Sequence, residues 1–118
     1  MTQESLQNTV LSALEDLKAR DVIVMDVRGL TSIADSMVIA SGTSDRHVRS
    51  IAENVVEKCK ESGQRPLGVE GLKDGEWVLV DLQDVVVHVM LPRVRDFYNL
   101  EKLWAAPAAR PGRASAEG

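Results

Sequence analysis

Ser41-Gly42-Thr43-Ser44 lies where a short apolar run gives way to a long amphipathic one. A loop between a strand and a helix start can cradle a phosphate with its backbone N–H groups and the helix dipole. No Gly-Lys-Ser or Gly-Lys-Thr ending follows, and no dinucleotide fingerprint is present, so a plain cap and turn is the simpler reading. His47 could touch a phosphate or cap a neighbour, but an ordinary surface or boundary role explains it more simply. His88 sits inside an apolar run, the setting of a hydrogen-bonded core residue rather than of a catalyst. Neither histidine has a nucleophile partner in sequence, and Ser41, Ser44 and Cys59 show no nucleophile signature. Cys59 is the single cysteine, so an internal disulfide is impossible; with two histidines there is little material for a metal site. No cofactor is expected.

The elements that must position these residues can be read from periodicity. Leu6, Val10, Leu14 and Leu17, with Leu11 beside them, predict an amphipathic helix over residues 3–20. Residues 22–27 are β-branched and apolar and read as a buried strand. Gly29 to Ser36 form a polar connection, and Met37 to Ala40 a second short buried strand ended by Ser41-Gly42. Val48, Ile51, Ala52, Val55, Val56 and Cys59 then fall on one apolar stripe, the strongest helix signal in the chain. Cys59 should therefore pack as a small core residue. Ser44 suits the N-cap of that helix and Gly63 its C′ position. Leu67 to Glu70 reads as a short strand. Trp77 to Leu82 and Val85 to Leu91 read as strands of a hairpin turning at Gln83-Asp84, where Gln83 is a poor residue if the turn needs positive φ. Pro92 opens a last helix running to about Trp104. The order α-β-β-α-β-β-β-α predicts an α/β fold, a mixed, partly antiparallel sheet of about five strands with helices packed on it. Residues 1–104 form the domain. Residues 105–118, rich in Ala, Pro and Arg and lacking bulky apolar groups, read as a disordered tail.

The loop at Gly42 is similar to the Gly-Ser loop of nucleotidyltransferases. Those enzymes also need a carboxylate pair, usually Asp-x-Asp, on a neighbouring strand to hold two metal ions. Asp-x-Asp does not occur, and Asp26-Val-Arg28 sets an arginine where the second acid would stand. A binding protein is the better reading than an enzyme.

Charge and aromatic residues indicate the kind of partner to expect. The net charge is −4, and residues 70–84 hold Glu70, Asp74, Glu76, Asp81 and Asp84 against Lys73 alone. A nucleic-acid binder would show a basic footprint; an acidic patch steers basic partners, although a solvated loop and strand edge would look the same. The four aromatics are Trp77, Phe97, Tyr98 and Trp104. Phe97, Leu100 and Trp104 would share one face of the last helix, with Tyr98 rotated away from that presumed core face. Together with Trp77 they form a candidate contact surface, because Trp and Tyr dominate interface hot spots. Polar residues 1–7 lack a signal-peptide pattern, and no apolar stretch approaches the roughly 18 residues of a membrane span. The expectation is a cytoplasmic protein.

Several runs, in this order and spacing, carry a family resemblance: Asp21-Val-Ile-Val-Met-Asp-Val27, Ile33-Ala-Asp35 through Gly42-Thr-Ser-Asp-Arg46-His47-Val48, Leu67-Gly68-Val69-Glu70-Gly71, Trp77 to Leu82, Asp84 to His88, and Phe97-Tyr98-Asn-Leu100-Glu101-Lys-Leu103-Trp104. Over about residues 5–104 the chain resembles the Iojap-like ribosomal silencing factors of bacteria, mitochondria and chloroplasts. Gln83 departs from the glycine often found there, and the tail is not family-typical. The resemblance implies a fold related to nucleotidyltransferases without their activity, and homodimers when free. It implies binding to the large ribosomal subunit through the fourteenth protein of its series, a basic protein at the subunit interface, which blocks small-subunit joining and damps translation when nutrients run short. Glu70, Trp77, Asp81, Leu82, Tyr98, Leu100 and Trp104 are the expected partner-binding residues, Leu82 with the reservation that strand alternation sets it opposite Trp77. A large-subunit biogenesis scaffold is the alternative, and a residual nucleotidyltransferase using Gly42 to Arg46 a lesser one.

The stripe makes a direct prediction. Val55→Asp sets an unpaired charge among apolar side chains and should cost more than about 4 kcal/mol, enough to unfold or aggregate a domain of this size. A wild-type melting curve by circular dichroism would show that the stripe faces solvent or a partner.

Overall fold

The computed structural model describes residues 3–32, 34–100 and 102. Its elements are α1 (Gln3–Asp16), β1 (Arg20–Asp26), β2 (Ser36–Ser41), α2 (Asp45–Glu61), β3 (Gly68–Glu70), β4 (Trp77–Asp81), β5 (Val85–Met90) and α3 (Pro92–Tyr98). This is the order read from the sequence. The five strands form one sheet in the order β1-β2-β5-β4-β3. β2 and β5 run parallel at its centre, and every other pairing is antiparallel.

Alternation along the strands gives the sheet two apolar faces. On one, Val38, Ala40, Val78, Val80, Val85, Val87 and Val89 meet the stripes of α1 and α2. Val48, Ile51, Ala52, Val55 and Cys59 of α2 are all buried there, so the stripe packs inward as its spacing required. Fully burying a Val or Leu side chain stabilises by roughly 1.5–3 kcal/mol, which makes this layer the main source of stability. Ser44 caps α2, its Oγ accepting from the His47 N–H at 3.1 Å. Gly63 follows the helix end at φ 94°. A ladder of polar contacts holds α1 on α2: Asn54 Nδ2 donates to the Ala13 carbonyl at 2.9 Å, and Lys58 pairs with Asp16 at 2.9 Å. Burial lifts the Cys59 thiol to about 11, which leaves it an inert core group.

The other face carries Met25, Val27, Met37, Ile39 and Met90, and α3 lays Val94 on it. Two expectations fail here. β1 is not a buried strand: Val22, Ile23 and Val24 are exposed, and Met25 is its one buried residue. It lies at the sheet edge, beyond the reach of α1 and α2, and its pairing slips between Arg20 and Ile23, where Asp21 turns to φ 50°. Such bulges and flanking charges blunt an edge. The last helix does not run unbroken as expected. α3 stops at Tyr98, because Asn99 adopts the left-handed conformation (φ 50°, ψ 55°) and its N–H closes on the Arg95 carbonyl at 2.8 Å; Leu100 and Lys102 are helical again beyond it.

The β4–β5 hairpin turns through Leu82, Gln83 and Asp84. Gln83 stands at φ 79°, with the Asp84 N–H donating to the Leu82 carbonyl at 3.0 Å and the Gln83 N–H to Asp81 Oδ1 at 2.9 Å. Positive φ strains a residue with a Cβ. Gln83→Gly should therefore stabilise the fold by about 0.5–1 kcal/mol after the entropic cost of glycine. Thermal denaturation should show a gain of roughly 2–6 °C; a lower melting temperature would mean that the Gln83 side chain contributes more than its backbone costs.

Candidate partner-binding surface

β4 divides its side chains by alternation. Val78 and Val80 enter the helix-side core, while Trp77, Leu79 and Asp81 project from the opposite face, each half-buried. Leu82 falls on the helix side and is fully buried. It props the strand end from within, so it offers no exposed contact; strand alternation holds at this position, and the expectation of a contact residue does not.

α3 brings the aromatic rings to Trp77. It buries Val94 and Arg95, and Arg95 Nη1 donates to Ser41 Oγ at 2.8 Å, tying the helix to the end of β2. That rotation leaves Phe97 80% and Tyr98 54% exposed. Tyr98 does not point away into solvent alone: its ring stacks on Trp77 with centroids 4.9 Å apart and a 47° tilt. Phe97 meets Tyr98 edge-on at 5.0 Å. Both geometries lie within the range aromatic pairs prefer. Phe97 is therefore the ring that sequence reasoning assigned to the wrong face, since its apolar spacing to Leu100 and Trp104 counts only if the helix continues. Leu100 is half-buried against the Met25–Met90 cluster. Trp104 lies outside the described residues. Glu76, Trp77, Arg93, Val94, Phe97 and Tyr98 enclose a groove of about 450 Å³.

Trp77 is held from beneath. Its Nε1–H donates to His88 Nδ1 at 2.9 Å, with the rings 5.9 Å apart. Nδ1 must keep its lone pair for this bond, so the imidazole is neutral with its proton on Nε2. Burial opposes the cation as well and lowers His88 from its ordinary 6.5 to about 4. His88 is the hydrogen-bonded core histidine that its apolar run suggested.

The acidic window is less uniform than its composition. Glu76 pairs with Arg93 at 3.5 Å across the surface. Glu70 is exposed and lies opposite Leu79 in the β3–β4 register. The cleft beside the Gly42 loop is lined by Thr43, Ser44, Asp45, Asp74, Glu76 and Arg93 among others. Among its described lining residues three carboxylates face one guanidinium, a setting that repels phosphate. His47 is consumed structurally: Nδ1 accepts from the Thr43 N–H at 2.9 Å, which leaves Nε2–H to donate to the Leu17 carbonyl at 2.7 Å. Gly42 has no room for a side chain, since an added Cβ would stand 2.8 Å from Val48 Cγ2. Asp26 is gripped by Arg28 at 2.7 Å and held down at about 2 by those hydrogen bonds. The loop is thus spent on packing and capping.

The described residues thus form a mixed α/β domain whose outstanding surface feature is a supported aromatic cluster. The sequence profile of the family described as "Ribosomal silencing factor during starvation" matches residues 1–116. The chain is 46% identical to ribosomal silencing factor RsfS of Chromobacterium violaceum, covering 94% of this chain and 97% of that one. It is 37% identical over 98 residues to the mouse protein named mitochondrial assembly of ribosomal large subunit protein 1, of which the match covers 43%. A crystal structure of a Chromobacterium violaceum protein superposes with a TM-score of 0.88 at 45% identity, covering 98% of this chain and 95% of that one. The chain belongs to the ribosomal silencing factor family.

His88 fixes a pH dependence. Between its folded value near 4 and its ordinary 6.5 the unfolded chain binds more protons than the folded one, so stability rises with pH across that window. Acidification from pH 6.5 to 4 should remove on the order of 3 kcal/mol through this group. Urea titrations at stepped pH should show His88→Gln losing that component, since the Gln carbonyl still accepts from Trp77 but does not titrate. Parallel pH profiles for the two proteins would assign the loss to other groups.

Proposed function

We propose that the surface built by Trp77, Tyr98 and Phe97, with Glu70 and Asp81 beside it, docks this protein on the large ribosomal subunit through the basic fourteenth protein of its series. Bound there, it obstructs the small subunit and represses translation in the cytoplasm under nutrient limitation. Two copies associate when the protein is free. The observation that carries the reading is a cluster of three rings, Tyr98 tilted on Trp77 and Phe97 edge-on to Tyr98, whose base, Trp77, is fixed by a part-buried hydrogen bond. Rigid aromatic anchors give large contact area at low entropic cost, which is what hot spots require. The family description, with its reference to starvation, supports the same direction. Acidic side chains around the rings favour a basic protein over RNA.

A scaffold for large-subunit assembly is the second reading, favoured by the name of the mouse relative. It uses the same surface but predicts preference for subunit precursors and undisturbed subunit joining.

Trp77→Ala should weaken binding to the isolated ribosomal protein by roughly 2 kcal/mol, about thirtyfold, and Tyr98→Ala should weaken it in the same direction. Titration calorimetry measures both, with circular dichroism to establish folding. Folded variants that bind at wild-type strength would remove this surface from the interaction.

A further inference from the structure

A second concavity lies on the same face of the sheet. Val27, Met37, Leu79 and Val86 supply apolar walls, Thr31 and Ala34 the adjoining loop, and Asp81 the one charge among its described lining residues. Its volume is about 210 Å³. Ligand sites for small molecules run to roughly 300–1,000 Å³, so this space suits one side chain rather than a cofactor. Gly68 pairs opposite Asp81 and leaves the flank of that carboxylate bare, while Glu70 pairs opposite Leu79 and projects on the same face. The groove is therefore apolar along its length and carboxylate at its rim. An apolar occupant would desolvate Asp81 with no compensation, whereas a cation on a hydrocarbon stem satisfies both parts.

We infer that this groove receives a lysine or arginine side chain of the protein partner, its stem over Leu79, Met37 and Val86 and its cation at Asp81 with Glu70 nearby. The inference rests on the docking reading above and extends it. The Trp77–Tyr98 stack supplies apolar anchorage, and the groove selects a basic residue at a fixed distance along the same face. Asp81 Oδ1 already accepts the Gln83 N–H, which orients the carboxylate before binding.

The test is calorimetric titration of the isolated large-subunit protein into full-length variants over a range of salt. Asp81→Asn keeps an acceptor for Gln83 and removes only the charge; it should weaken binding three- to tenfold and flatten the salt dependence. Ala34→Phe, filling the groove, should weaken binding at least tenfold, with Thr31→Trp at the loop as a second filling variant should the first not fold. Wild-type affinity and salt slope in the folded groove variants, with binding still lost in Trp77→Ala, overturn the groove and leave the docking reading intact. Wild-type affinity in all of them, Trp77→Ala included, overturns both. A fall in the melting temperature of free Asp81→Asn that disappears in the Arg110→Ala, Arg113→Ala background would put the chain's own arginines in the groove and also overturn the assignment.

Discussion

The sheet has two apolar faces and unequal cover for them, and the rest of the molecule follows from that mismatch. α1 and α2 together span 31 helical residues and seal the face of Val38, Val80 and Val87. Among the described residues, the opposite face receives α3, seven residues long, and Leu100 just beyond it. Where α3 lies, Met90, Ile39 and Val94 are buried; where it ends, Trp77, Leu79 and Asp81 remain half-exposed. A binding surface on a rigid sheet is more precisely held than one on a loop. Here Trp77, Leu79 and Asp81 project, half-buried, from β4 itself.

That reading explains why the aromatic residues concentrate near one end of the chain. α3 must be anchored to hold them, and its anchors are Val94 and the buried Arg95–Ser41 hydrogen bond rather than the rings themselves. The rings are then free to face outward. His88 plays the corresponding part under Trp77, a polar residue placed in a central strand where an apolar one would have packed as well. A buried imidazole costs stability at low pH. In return it fixes the orientation of an indole that stands half in solvent.

Most of the architecture was legible because period and punctuation agree. The α2 stripe, the Ser44 cap, Gly63 and the β4–β5 alternation all follow from local residue types, and each lies where it was read. The misreadings have two causes: position in the sheet is not written in a strand's own residues, and one residue's backbone conformation can interrupt a helix whose spacing is regular. Val22 to Val24 have the composition of a central strand, yet they lie at an edge, since strand order depends on long-range pairing. Asn99 ended α3 through a left-handed turn that asparagine tolerates but does not require. With the helix interrupted there, the face assigned to Phe97 was lost. Leu82 illustrates the reverse case, where alternation held and the expected contact did not survive it. The groove at Leu79 and Asp81 had no sequence signal beyond the charge of Asp81, because its walls come from β2, β4, β5 and the β1–β2 connection together.

The central claim, that this face holds the protein on the large subunit and keeps the small subunit away, is tested most directly by sucrose-gradient fractionation of lysate containing the full-length protein. The account predicts that the protein migrates with free large subunits, is absent from joined ribosomes, and leaves the large-subunit fractions when Trp77 is alanine. Wild-type protein found equally on joined ribosomes, or a Trp77→Ala variant that stays with free large subunits as the wild type does, would contradict it.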